Sequence, residues 1–154
     1  MLINKKKTEL IKFNNFLDNI NINNGDKILI TSSMLPVLLN FKNKKSFLTP
    51  NIILNSIIKK IGKNGTLLIP CFNWDFCKGK TFNYFKTRSQ VGTLGDLALK
   101  KKGFQRSQNP IYSFAIFGKD KKKLCGMKHK NCFSKNSPFG YMIKNSAKNL
   151  FIGI

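Results

Sequence analysis

Apolar residues along this chain fall into two patterns that alternate: stretches with helical spacing and short unbroken runs. Leu10, Ile11, Phe13, Phe16, Leu17 and Ile20 share one helical face, which predicts a helix over Thr8–Ile20. A Gly25-Asp26 turn leads into Lys27–Thr31, read as a short strand, and Ser32-Ser33-Met34 follows it directly. Residues 40–49 read as a basic loop. Thr49-Pro50 then offers a capping hydroxyl and a proline at the first helical position. Ile52, Ile53, Ile57, Ile58 and Ile61 form the apolar face of the helix that follows, and Gly62 helps to end it.

Thr66–Pro70 is continuously apolar after its first residue, as a strand buried on both faces should be. Residues 71–90 form a long aromatic-rich loop, of a kind that usually binds something or covers a site. Thr93-Leu94-Gly95-Asp96 has capping-box spacing with Asp for Glu, and its helix is expected to end at Gly103 after three lysines. Ser113–Phe117 reads as a strand, Lys119–Gly126 as a short helix or turn, and Ser137-Pro138 opens a helix through Lys144. Asn149–Ile154 closes the chain as another apolar strand. Helices alternating with double-sided strands predict an α/β fold, a mostly parallel or mixed sheet flanked by helices in α/β/α layers. All 154 residues fit a single domain.

Composition changes this picture little. A 42% hydrophobic fraction is that of a globular chain. No apolar run approaches the ~20 residues needed to cross a bilayer, and no apolar segment follows the basic N-terminus as in a secretory leader. The expected compartment is the cytosol, with no membrane partner. The net charge of +22 invites a nucleic-acid reading. However, the only arginines are Arg88 and Arg106, the lysines are dispersed, and the Lys, Asn, Ile and Phe excess follows AT-rich codons. A compositional lysine surplus with weak, non-specific polyanion binding at low salt is the expectation. Cys71, Cys77, Cys125 and Cys132 are too widely spaced for a zinc pair, so no metal site is expected and the cysteines read as buried or partly buried free thiols.

Three groups of residues could carry chemistry. Thr31, Ser32, Ser33 and Met34 stand at the C-terminal end of a predicted strand, where open α/β sheets bind ligands. Their hydroxyls and backbone N–H groups could cradle a phosphate, or form an ordinary serine turn. In the segment Arg106–Ser113, Pro110 keeps Asn109 out of helix, so the stretch should be extended with projecting side chains. Arg106 could pair with a carboxylate or phosphate, while Ser107 and Ser113 could donate to a ligand. The other reading of this segment is a loop held by its own polar side chains. His129, the single histidine, has no carboxylate near it in sequence and reads first as a surface or structural residue.

Arg106, Ser107, Asn109, Pro110 and Ser113 resemble the Arg-Ser-x-His-Pro-x-x-Ser segment of the antibiotic N-acetyltransferases, the family of the aminoglycoside 3-N-acetyltransferases. The likeness continues in order through the Ser32-Ser33-Met34 turn, Gly65–Pro70, Ser89-x-Val91-Gly92-x-Leu94-Gly95, Ser137-Pro138 and the closing Leu150–Ile154. It implies the N-terminal portion of that fold, with acetyl-CoA as co-substrate and no metal. Thr31, Ser32, Ser33, Met34, Ser107 and Ser113 would contact the cofactor, and Arg106 and Asn109 the substrate. Thr31 stands where many members have His, Met34 where they have Leu, and Asn109 where they have His. His129 matches a histidine often found before the family's Gly-x-x-Ser-Pro segment.

The mechanism the resemblance implies is attack of an acceptor amine on the acetyl thioester, assisted by a His and acidic pair. That pair would lie beyond Ile154, so no catalytic residue is assigned within the chain and the short form is expected to be inactive unless a partner chain supplies the rest. Polycationic aminoglycosides want carboxylates, yet only Glu9, Asp18, Asp26, Asp75, Asp96 and Asp120 are acidic. An amino sugar on an anionic carrier therefore fits the charge better than a drug. The alternative function is a non-catalytic polyanion or nucleic-acid binder built on the lysines and the aromatic loop.

Overall fold

The structure, a computed structural model, describes Asn15, residues 17–43 and residues 49–154. Most of the helix expected over Thr8–Ile20 lies outside the described residues. Its described part is helical at Asn15 and Leu17–Asn19, with Leu17 in the core. The elements that follow are β1 (Lys27–Ser32), α1 (Met34–Asn43), α2 (Pro50–Ile61), β2 (Thr66–Pro70), α3 (Thr93–Leu99), β3 (Gln105–Arg106), β4 (Phe114–Gly118), α4 (Lys121–Cys125), α5 (Pro138–Lys144) and β5 (Lys148–Ile152), with one 3₁₀ turn at Asp75–Lys78.

The strands form one mixed sheet in the order β3-β4-β2-β1-β5. β1 pairs in parallel with β2 and β5, whereas β4 runs antiparallel to β2 and β3 antiparallel to β4. Strand alternation splits the core into two layers. Ile28 and Ile30 of β1, Leu67 and Ile69 of β2 and Ala115 of β4 meet Met34, the Ile53/Leu54/Ile57/Ile61 face of α2, and Leu94 and Ala98 of α3. On the other face, Leu68, Phe114 and Ile116 meet Leu124 and Cys125 of α4 and Tyr141 and Met142 of α5. The α/β/α layering expected from the sequence is present. The second layer covers β4 and β2 but stops short of β5, where Phe151 is 61% exposed.

Local rules explain several of these elements. Thr49 caps α2, its hydroxyl accepting from the Ile52 N–H at 3.3 Å, and Ser137 caps α5 through the Gly140 N–H at 3.1 Å. Other expectations need correction. Residues 40–43 are not loop but the end of α1. The expected capping box at Thr93 does not form: Gly92 is the N-cap with no side-chain cap, because Asp96 instead accepts from the Ser89 N–H at 2.9 Å and pairs with Arg88. α3 stops at Leu99, short of Gly103, since the chain must reverse there into β3. β5 is an edge strand with alternating exposure rather than a strand buried on both faces.

Candidate functional site

The C-terminal ends of β1 and β2 diverge around a crevice of about 230 Å³. Thr31 and Ser32 form one wall and Ile69 and Pro70 another, while Gly92 and Gly95 of the α3 entry, with Phe72 and Phe139, close it. The lining is mainly apolar, with two hydroxyls at its mouth. Gly92 holds φ at +120°, a conformation that side-chain-bearing residues rarely adopt, and a Cβ there would sit 3.4 Å from the Ser32 carbonyl oxygen. The backbone thus passes over Ser32 at ordinary contact distance, and the positive φ is what favours glycine there.

The four residues expected at this edge separate. Ser32 and Thr31 line the crevice, and the Thr31 hydroxyl lies 3.1 Å from the Asn149 side-chain oxygen and donates to it. Ser33 is exposed and turned away from the crevice lining, its N–H donating to the Ile152 carbonyl at 2.9 Å. Met34 is 4% exposed and belongs to the core beneath α2. Its side chain does not line the crevice, because it packs with Ile28, Ile30 and the α2 face.

Arg106, Ser107 and Ser113 are also turned inward, and this replaces the expectation that they project toward a ligand. Their exposures are 2%, 1% and 0%. Arg106 Nε donates to the Ser113 hydroxyl at 2.9 Å, Nη2 to the Cys71 carbonyl at 3.1 Å, and Nη1 to the carbonyls of Thr87 and Tyr84. Its guanidinium carbon also stands 5.0 Å from the centre of the Phe82 ring. The Tyr84 hydroxyl donates back to the Arg106 carbonyl. Ser113 donates to the Cys71 carbonyl at 3.0 Å, and the Ser107 hydroxyl accepts from the Phe114 N–H at 2.9 Å. Burial pulls the Arg106 pKa below its ordinary value, against the opposing pull of Asp96. Asn109 is half-buried, and its side-chain oxygen accepts from the N–H groups of Ile111 and Tyr112 at 2.9 and 2.7 Å. The segment is therefore a polar clamp that fixes the aromatic loop to β3 and β4.

That clamped loop forms a groove of about 320 Å³ beside the crevice. The two share a wall, since Phe72 and Val91 face one and Asn73 and Gln90 the other, joined by the Gln90 N–H donating to the Phe72 carbonyl at 2.8 Å. Lys80 and Arg88 give the groove its cationic rim. The one lining carboxylate, Asp75, is paired with Lys80 at 3.2 Å and bonded by Gln90, which hold it below the usual carboxylate range.

His129 does not line the crevice, and both of its ring nitrogens are buried without a hydrogen-bond partner among the described residues. Cys71 and Cys125 are buried, and loss of solvation pushes their thiols up to about 12 and about 11, so neither is a ready nucleophile. Cys77 is exposed, unlike the buried or half-buried thiol expected of it. Among the described residues no cluster of three or more His, Cys, Asp or Glu could hold a metal ion, and no helix is long and apolar enough to cross a membrane. Sequence reasoning missed Phe72, Gly92 and Phe139 as lining residues. The glycine just before a helix entry was the one available signal.

Solved structures to which this architecture is similar include aminoglycoside acetyltransferases. The chain superposes on aminoglycoside acetyltransferase AAC(3)-Xa with a TM-score of 0.76 at 16% identity, covering 92% of itself and 55% of that chain. For AAC-IIIb, determined as a binary complex with CoASH, the TM-score is 0.76 at 16% identity, with coverages of 92% and 58%. For the YokD protein from Bacillus subtilis it is 0.71 at 18% identity, with coverages of 86% and 60%. The chain thus spans little more than half the length of these structures, and at such identities they show the fold alone. No curated protein matches the chain significantly. The sequence model for aminoglycoside 3-N-acetyltransferases matches residues 32–154, which takes in the clamp, the closing strand and the crevice lining from Ser32 onward. The chain belongs to the aminoglycoside 3-N-acetyltransferase family.

Proposed function

We propose that residues 1–154 form a single domain, the N-terminal, CoA-binding portion of a cytosolic N-acetyltransferase that moves acetyl from acetyl-CoA to an amino group of an aminoglycoside or amino sugar. The observation that carries this reading is the crevice at the C-terminal ends of β1 and β2. Its apolar walls suit the methylenes and sulfur of a pantetheine arm, and its two hydroxyls suit the amides. Acetyl-CoA supplies an activated acetyl group. Thr31 and Ser32 bind and orient the arm, Phe72 and Phe139 keep water from it, and Gly92 lets the backbone approach it closely. The CoASH complex of AAC-IIIb supports the choice of cofactor.

No histidine or carboxylate lines the crevice. The base that would take the proton from the acceptor amine is therefore not assigned among the crevice residues. Without that base, turnover should fall by ~10²–10⁴-fold. Structures of AAC-VIa with sisomicin and of AAC(3)-IVa with apramycin favour an aminoglycoside acceptor by analogy. The scarcity of carboxylates in a chain of net charge +22 favours an amino sugar on an anionic carrier. Acetylation of kanamycin-type compounds without turnover of nucleotide amino sugars would decide against the carrier.

Calorimetry with acetyl-CoA at physiological salt tests the reading. A saturable one-site isotherm, weakened about fivefold by Ser32→Ala, is expected for loss of one well-placed hydrogen bond worth ~1 kcal/mol. No binding by a chain that unfolds cooperatively would overturn it. The second reading, a non-catalytic polyanion binder, draws on the net charge of +22 and on loop aromatics such as Phe85, 89% exposed, and Phe76, 49% exposed. Tight binding to single-stranded nucleic acid that survives physiological salt would favour it.

A further inference from the structure

At the sheet edge opposite the crevice, α4 and α5 enclose a second concavity of about 400 Å³. Its placement follows from the topology. Asp120, just before α4, hydrogen-bonds Thr66 at the start of β2, and α5 ends just before Lys148 at the start of β5. Lys123, Lys128, Lys135 and Lys144 line this concavity, with the amides of Asn136 and Asn145 between them and no carboxylate.

Among the described residues no carboxylate pairs with these four ammonium groups, and four of the five described carboxylates pair with other cations. Asp18 pairs with Lys60, Asp26 with Lys148, Asp75 with Lys80 and Asp96 with Arg88. Asp120 accepts from the Tyr141 hydroxyl at 2.6 Å and from Thr66 at 3.2 Å. That bond fixes the Tyr141 ring in the pocket wall, and the Lys123 ammonium stays 5.7 Å from the ring centre. A dispersed lysine surplus predicts isolated cations on convex surface, each surrounded by water. Here four lysines line one hollow of about 400 Å³, so their fields add there more than those of cations scattered over the surface, which salt screens apart over ~8 Å. Ammonium groups present donors in any direction and suit phosphate oxygens of varied orientation, and the two amides add neutral donors. The volume lies within the ~300–1,000 Å³ range of small-ligand pockets.

We propose that the pocket between α4 and α5 is a binding site for an oligophosphate, two or three linked phosphates, either free or carried on a nucleoside. The site is separate from the crevice and does not depend on the acetyltransferase reading.

The test is calorimetric titration of the full chain with tripolyphosphate at physiological salt. One site is expected, weakened about tenfold or more by K123Q/K144Q, which corresponds to ~1.4 kcal/mol. K63Q/K102Q removes the same charge from exposed positions outside the pocket and should change affinity less than about twofold, as diffuse effects do once screened. K128Q/K144Q leaves the Tyr141 ring contact intact and should match K123Q/K144Q, which guards against a folding defect in either. Equal weakening by K63Q/K102Q, or no saturable binding, would overturn the proposal. Acetyl-CoA and its 3′-dephospho form separate the sources. Loss of their binding in K123Q/K144Q assigns the site to the phosphates of the co-substrate, and unchanged binding assigns it to a free oligophosphate or another nucleotide. Ser32→Ala should leave tripolyphosphate binding unaltered, so failure of the crevice and failure of this pocket are read independently.

Discussion

Replacing Arg106 by Met should unfold the chain more readily rather than merely empty a ligand site. The side chain is 2% exposed and pairs with no carboxylate among the described residues. Its charge is met by the Ser113 hydroxyl and by carbonyls of Cys71, Thr87 and Tyr84, with the Phe82 ring alongside. Met fills most of the space but donates nothing. The Thr87 carbonyl would lose its donor, whereas the Cys71 carbonyl would keep Ser113 at 3.0 Å. Each buried polar group left unmet costs ~1–3 kcal/mol, and relief from desolvating a guanidinium offsets part of that. A net loss of about 2–4 kcal/mol is expected, a large share of the ~5–15 kcal/mol of a typical domain. In urea, with a slope of ~1–3 kcal/mol/M, the midpoint should fall by roughly 1–2 M at unchanged slope. Arg106→Lys, which keeps the charge but offers a single donor centre, should fall between the two. Limited proteolysis should cut the 72–90 loop faster in Arg106→Met, since the clamp ties that loop to β3. A midpoint within about 0.3 M of the native one, with unchanged cleavage, would refute the clamp and restore Arg106 as a ligand-facing group.

Gly95→Ala should loosen α3, because its Cβ would lie 2.5 Å from the Pro70 carbonyl oxygen and 2.6 Å from Cys71 Sγ. A loss of ~1–3 kcal/mol is expected from such overpacking, read as a lower melting temperature and weaker acetyl-CoA binding, and unchanged melting would count against the close contact. Asp26→Asn should flatten the acid limb of stability. Burial alone would raise the Asp26 pKa, but the Lys148 ammonium at 2.7 Å and the Asn23 N–H hold it below 3.8. Its contribution is therefore present above the unfolded value and lost as pH falls through the lower folded one. The pair is partly solvent-screened, so about 0.5–1 kcal/mol should separate variant and parent at neutral pH and vanish as pH falls below the ordinary carboxylate range in urea titrations. An undiminished gap at acid pH would contradict this sign. Maleimide labelling should modify Cys77 quickly, and Cys71 and Cys125 only as fast as the chain opens, as peptide mass spectrometry of a time course would show. Equal rates would mean the core is not closed.

Much of the scaffold was legible because single residues decided it locally. Thr49-Pro50 and Ser137-Pro138 each place a cap and a proline at a helix start, and the apolar run Leu67-Leu68-Ile69 fits only a strand covered on both sides. α1 was hidden because its pattern is not that of a buried helix: Leu35 and Leu39 are 67% and 52% exposed, and Pro36 lies in its first turn. The capping box misled because Asp96 had better partners at Ser89 and Arg88, contributed by a loop whose path no local pattern states. β3 is two residues long and carries no periodicity to detect.

The site divides along the same line. That a ligand crevice should open where β1 ends follows from the sheet, and Thr31 and Ser32 line it. Which neighbours face inward depends on where β1 gives way to α1: Ser33, between them, turns out to solvent, while Met34, opening the helix, drops into the core. Strand alternation turned Arg106 from an expected ligand contact into a clamp, since pairing β3 with β4 points its side chain under the aromatic loop. Phe72 and Phe139 meet in the crevice from positions far apart in the chain, because β2 lies next to β1 and α5 packs across the same face. Without the strand order nothing distinguishes those two rings from the other phenylalanines. The motif segment and the ligand crevice are therefore separable in this fold. The residues that most resemble a binding signature hold the loop in place, and less conspicuous ones, Ser32 and Gly92, form the surface a thioester arm would meet. Paired substitutions can expose that separation: Arg106→Lys should lower stability with little change in acetyl-CoA affinity of the folded fraction, and Ser32→Ala should do the reverse.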